Sequence, residues 1–164
     1  MNSLIGHQKI SWKGVIWSGL IAGAVFMMLE MLMVWAFLDG SPWGPPRMMA
    51  VMVLGRDVLP PPAPFALGIM MVALIIHFLL SWVYAFLFAW AFGGLKTGTA
   101  VLAGAAFGLA IYLVNFYGFT AIWPWFSNAR TWVSIFAHIM FGITLAWSYK
   151  ALSHPGSQAQ QRHE

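Results

Sequence analysis

The chain has 164 residues, 61% of them hydrophobic and only 7% charged, and its mean hydropathy is +0.79. Soluble domains carry about 25% charged residues, so an ordinary soluble fold is excluded. The net charge of +4 comes from basic residues scattered through ends and loops, which argues against a nucleic-acid partner, and the absence of cysteine rules out disulfides, iron–sulfur clusters and thiolate metal sites.

An α-helix needs about 20 apolar residues to cross a bilayer. The first such stretch runs from about Gly14 to Leu38, preceded by Lys9 and Lys13 and closed by Asp39, Gly40 and Pro42. It is longer than the core of a signal peptide, so it is expected to be retained as a membrane anchor.

The connection that follows, Asp39 to Pro64, holds an element of its own. Pro45 and Pro46 can open a helix of about residues 46–54, Gly55 fits its end, and Pro60, Pro61, Pro62 and Pro64 enforce extended chain beyond it. The expectation is a short interfacial helix across the outer mouth of a bundle, with Arg47, Arg56 and Asp57 as charges at headgroup level.

The second span is expected over about Phe65–Phe92, followed by a tight turn at Gly93 to Lys96, and the third over about Thr97–Ile122, stopped by Pro124. The fourth runs from about Ala129 to Ala151, with Arg130 at its start. A polar tail, residues 153–164, reads as disordered and cytoplasmic. The fold class implied is all-α: a polytopic membrane four-helix bundle in one integral domain, residues 1–152, with the lipid bilayer as its solvent.

Basic residues beside the spans set orientation. Lys9, Lys13, Lys96, Lys150 and Arg162 lie on one side and Arg47, Arg56 and Arg130 on the other, which places both termini in the cytoplasm. Trp12, Trp17, Trp90 and Trp147 mark the inner boundary, and Trp35, Trp43, Trp123, Trp125 and Trp132 the outer one.

Each span carries polarity that hydrocarbon does not tolerate freely: Glu30, His77, Asn115 and His138. An ionisable side chain there costs roughly 2.5–3.5 kcal/mol on insertion scales. Counting helical rise from the outer ends puts all of them about 10 to 18 Å deep, in one layer. Gly19 and Gly23 lead to Glu30, and Gly104 and Gly108 lead to Asn115, so close-approach faces and polar residues coincide. Ser81 lies one turn after His77, and Ser134 one turn before His138.

One carboxylate and two imidazoles are ligand types that suit a transition metal ion such as Zn, Fe, Mn or Cu, and bundles build such sites in internal layers. No Glu-x-x-His or His-x-x-x-His makes that reading specific. His77 and His138 can alternatively serve a haem b as axial ligands. Glu30 with His77 and His138 can also pass protons, as in a small transporter or channel-like oligomer. The remaining alternative is structural: a polar network that fixes helix register. Met27, Met28, Met31, Met33, Met48, Met49 and Met52 invite a Cu(I) site, but methionine is more often a filler of irregular packing. His7, His154 and His163 fall in the chain ends and read as solvated.

A Gly-rich phosphate loop, a Ser-x-x-Lys or Gly-x-Ser-x-Gly nucleophile and a His-Glu-x-x-His motif are all missing, so catalysis by the chain itself is not expected.

The stretch Arg47-Met-Met-Ala-Val-Met-Val-Leu-Gly-Arg-Asp-Val-Leu-Pro-Pro-Pro-Ala-Pro, the apolar run with His77 after it, and Glu30 before it resemble a group of small uncharacterised bacterial four-helix inner-membrane proteins. The resemblance implies a bacterial inner-membrane location and four helices, and transfers no activity. Together these readings describe a metal- or cofactor-binding accessory component of a membrane redox or respiratory assembly. Its partners would be other membrane subunits or copies of itself.

Overall fold

Local capping and turn chemistry set where each helix begins and ends in the computed structural model, which describes residues 10–59 and 63–153. The first helix, α1, spans Trp12–Phe37. The Ser11 hydroxyl accepts the Gly14 N–H at 3.1 Å, so the helix starts at the cap, slightly earlier than the apolar run alone suggests. Its exit turns at Asp39, which takes a positive φ of 49°. The short helix α2 covers Gly44–Leu54 with proline in its first turn, where a missing N–H leaves no bond unmade. It ends at Gly55, whose φ of +84° is costly for residues with a β-carbon.

Helix α3 spans Leu67–Phe92, and Lys150 donates to the Gly93 carbonyl at its end over 3.1 Å. Helix α4 covers Thr97–Leu113, where the sequence suggests one helix to residue 122. From there the chain widens into a π-helical turn, Val114–Gly118, then tightens into a 3-10 turn, Phe119–Ala121. A further 3-10 segment, Pro124–Ala129, precedes α5, Trp132–Ser153. Thr131 starts α5 by accepting the Ser134 N–H at 3.2 Å, which moves the helix start past the expected Ala129. His7, Lys9, Pro60 to Pro62, His154, Arg162, His163 and the expected tail beyond Ser153 lie outside the described residues.

Among the described residues there is no strand, and α1, α3, α4 with its continuation, and α5 are each long and apolar enough to cross a bilayer. The protein is an all-α polytopic four-helix bundle. Large apolar side chains point outward, as Trp90 and Leu102 do at 71% and 73% exposure, while fully buried positions include Ala22, Ala73, Ala85, Ala100 and Ala137. That arrangement suits a solvent as apolar as the core, where close packing replaces hydrophobic burial as the cohesive force.

The most buried span is α5, which packs along both α4 and α1. The α4–α5 approach depends on glycine: a β-carbon at Gly104 would strike the Gly142 carbonyl, and one at Gly108 the His138 carbonyl. On the other side, Gly19 and Gly23 admit α3, where added β-carbons would meet Trp82 at 2.6 Å and the Ser81 hydroxyl at 2.9 Å. Helix α3 packs on α1 and α2 but touches α4 and α5 only sparsely. Near the termini Phe88, Phe92, Phe107 and Tyr149 close the gap between α3 and its neighbours with ring contacts. Toward α2 the gap opens.

Candidate functional site

The opening between the helices is a cavity of about 800 Å³. Volumes of roughly 300–1,000 Å³ are usual for sites that take a small organic molecule. Its walls come from α1, α3, the π-helical end of α4 and α5, and its roof from α2 through Met48, Met49 and Met52. Glu30, His77, Asn115 and His138 all line it, together with Ser81 and Ser134. The layer inferred from helical depth is thus one continuous surface.

Two separate hydrogen-bond arrangements build that surface. In the first, the Tyr84 hydroxyl donates to Asn115 Oδ1 at 2.9 Å, and Asn115 Nδ2 lies 3.3 Å from His138 Nε2. His138 Nδ1 is 2.7 Å from the Ser134 carbonyl, one turn back on α5. A carbonyl only accepts, so the proton is on Nδ1 and Nε2 accepts from the Asn115 amide. The chain Tyr84, Asn115, His138, Ser134 is therefore closed, each donor meeting an acceptor. Asn115 reaches both partners from within the π-helical turn, a distortion that recurs at functional positions because it re-aims side chains.

In the second arrangement α3 is tied to the backbone of α1. His77 Nε2 donates to the Gly23 carbonyl at 2.8 Å, and the Ser81 hydroxyl donates to the Gly19 carbonyl at 2.6 Å. Both acceptors belong to glycines, whose missing side chains let the α3 groups come within bonding distance. The Phe26 ring fills the space near both histidines, stacked on His77 at 5.5 Å and edge-on to His138 at 4.7 Å.

Glu30 differs from these residues. It is 5% exposed, its partner is the Ser134 hydroxyl, and no Lys or Arg among the described residues lines the cavity with it. Asp39 stands at the same cavity's rim.

The metal reading of the sequence finds no ligand set here: among the described residues no three His, Asp or Glu side chains are grouped to hold an ion. Both His138 nitrogens are committed, His77 has spent Nε2 on Gly23, and Phe26 packs against both rings. The same commitments remove the Nε2 atoms from axial haem ligation.

The charges expected at headgroup level divide. Arg56 and Asp57 are exposed, and Arg56 lies 6.0 Å from the Trp125 ring. Arg47 departs from the expectation, because it is 8% exposed and its guanidinium donates to the Val58 carbonyl at 2.7 Å and to the Pro64 carbonyl at 2.7 and 3.0 Å. It clamps the chain leaving α2 back onto α2. Ser41 adds a second tie, its hydroxyl donating to the Ala63 carbonyl at 2.6 Å. The run of prolines explains why a side chain is needed: chain without N–H groups cannot bond itself down. Arg130 is likewise engaged, donating to the Phe116 carbonyl at 2.8 Å and lying 4.3 Å from the Tyr117 ring, so it caps the π-helical end of α4.

Tyr84, Phe26 and Thr131 were not evident as site residues from sequence. A tyrosine one turn below Ser81 on the His77 face is the signal that could have flagged the first, and Thr-x-x-Ser before an apolar run the last. The fold and site define a class: a polytopic helical protein enclosing a ligand-sized cavity with buried polar groups. Comparison with family models, curated proteins and solved structures finds no match to this chain.

Proposed function

We propose that this chain is a bacterial inner-membrane binding component, with its termini in the cytoplasm, that takes one small organic molecule into the cavity beneath α2. It carries out no catalysis of its own and serves a larger membrane assembly as the subunit that holds this molecule. The observation behind this reading is the division of the polar layer. Tyr84, Asn115, His138 and Ser134 satisfy one another and fix the helices, whereas Glu30 lines an 800 Å³ space with the Ser134 hydroxyl as its partner and no Lys or Arg among the described lining residues.

A structural role accounts for the first group and leaves the second unexplained. Burying a carboxyl beside a space of ligand size is costly unless something in that space compensates. The methionine roof supports the same reading, since thioether side chains adapt to irregular apolar shapes.

Native mass spectrometry of gently solubilised protein tests it. A co-purifying organic molecule, or a bound neutral hydrophobe such as N-phenyl-1-naphthylamine, is expected at one per chain. Met49→Trp, which fills the roof, should remove it. A chain that binds neither, or whose occupancy Met49→Trp leaves unchanged, would rule the reading out.

A further inference from the structure

We infer that the molecule taken into this cavity is a hydrophobic organic cation, held by Glu30 as its counter-ion. The inference rests on the cavity being a binding site, as proposed above, and adds the charge of the occupant.

Charge complementarity carries it. Among the described residues the cavity is lined by two acids, Glu30 within and Asp39 at the rim, and by no Lys or Arg. The basic residues nearest in the sequence to its walls are turned to other tasks, Arg47 on the Val58 and Pro64 carbonyls and Arg130 on the Phe116 carbonyl. Neither supplies Glu30 with a partner. The imidazole N–H groups that the hydrogen bonds place, on His138 Nδ1 and His77 Nε2, point to the Ser134 and Gly23 carbonyls instead.

The rest of the lining suits such a guest. Phe26, Tyr84, Phe116, Phe119, Trp123 and Phe126 present aromatic rings to the space. Ring faces attract cations, most strongly where water is excluded, and they also accept the apolar body of the molecule. A bare metal ion would find no group of three His, Asp or Glu side chains among the described residues to hold it. An anionic amphiphile would face two like charges. A cation whose charge is spread over or shielded by an apolar frame meets both halves of the site.

Tetraphenylphosphonium and tetraphenylborate have nearly the same shape and opposite charge, so equilibrium dialysis of the two against the purified full-length chain isolates the electrostatic part. Saturable binding of the phosphonium at one per chain is expected, with the borate weaker by about tenfold or more, where each tenfold is about 1.4 kcal/mol. Glu30→Gln should remove most of that preference, leaving only the smaller share that Asp39 supplies, with N-phenyl-1-naphthylamine bound as before, which shows the variant folded and its cavity intact. Asp39→Asn, at the exposed rim, should reduce phosphonium affinity by a smaller factor.

Equal binding of the two ions, or a preference that Glu30→Gln leaves undiminished, would overturn the inference. Binding of the neutral probe without the phosphonium would overturn it too, while sparing the cavity as a site. Binding of none of the probes would remove both readings.

Discussion

The Asn115 amide and the His138 imidazole, 3.3 Å apart, join α4 to α5 at the level where the α4 backbone changes from α to π geometry. Asn115 also receives the Tyr84 hydroxyl, so one amide links three helices. It is the keystone of the polar layer because no other side chain described there bonds to two spans besides its own.

That position sets the order of two substitutions. Tyr84→Phe removes one neutral hydrogen bond, worth about 0.5–1.5 kcal/mol in general and nearer 0.6 on average between membrane helices. Asn115→Ala strips partners from both Tyr84 and His138, and each polar group left buried and unsatisfied costs about 1–3 kcal/mol. Reversible unfolding in mixed micelles should therefore rank Asn115→Ala well below Tyr84→Phe. Equal losses would mean that Asn115 is not the junction.

Arg47 sets the stability of the roof. Replacement by Met keeps much of the buried stem but loses the bonds to Val58 and Pro64, and hydrogen bonds to a charged group contribute about 1.5–3 kcal/mol. The consequence should be local, because the clamp ties α2 to its own exit and not the spans to each other. The chain lacks cysteine, so Ala50→Cys, at a fully buried site on α2, gives a clean reporter. Maleimide should label it at least about tenfold faster in the Arg47→Met background if α2 opening governs access. An unchanged rate would place the stability of α2 in its packing on α3 alone.

Arg130 predicts a smaller and more localised effect. Its side chain is exposed, and at exposed sites a cation over a ring contributes about 0.5–1 kcal/mol. Arg130→Gln should cost about 1 kcal/mol in the same unfolding assay once the bond to Phe116 is included. It should also speed amide exchange in the turns that continue α4, at Ile122 and Trp123, whose N–H groups both bond the Phe119 carbonyl. A loss confined to α5 would contradict the capping role.

These three cases show what the sequence could and could not disclose. Hydropathy placed the four spans and proline with glycine placed α2, because length in a bilayer and the φ limits of those residues act locally. Glu30, His77, Asn115 and His138 could be assigned to one level, since helical rise converts residue number into depth. Depth alone does not say which nitrogen bonds to what. That His138 Nε2 accepts from the Asn115 amide, and that Phe26 sits against both imidazoles, depends on helix rotation and on the π-helical turn, neither of which leaves a periodic signal. Arg47 looked like a surface charge because its acceptors, the Val58 and Pro64 carbonyls, are backbone atoms that every residue shares.

Glycine supplies the sharpest comparison, because two members of the same helix differ only in what surrounds them. A β-carbon at Gly108 would collide with the His138 carbonyl on α5, whereas one at Gly98 meets nothing within 4 Å. Backbone cannot rotate aside as a side chain can, so Gly108→Ala must push α4 away from α5. Overpacking of this kind costs about 1–3 kcal/mol. Gly98→Ala carries no such clash and gains the helix preference of alanine, about 0.5–1 kcal/mol. Unfolding in mixed micelles should thus move in opposite directions for the two variants. The Gly108 variant should also weaken phosphonium and neutral-probe binding together, because separating α4 from α5 carries Asn115 away from His138 and distorts the wall they share. If Gly108→Ala proves as benign as Gly98→Ala, the backbone contact between α4 and α5 is not what holds the cavity in shape.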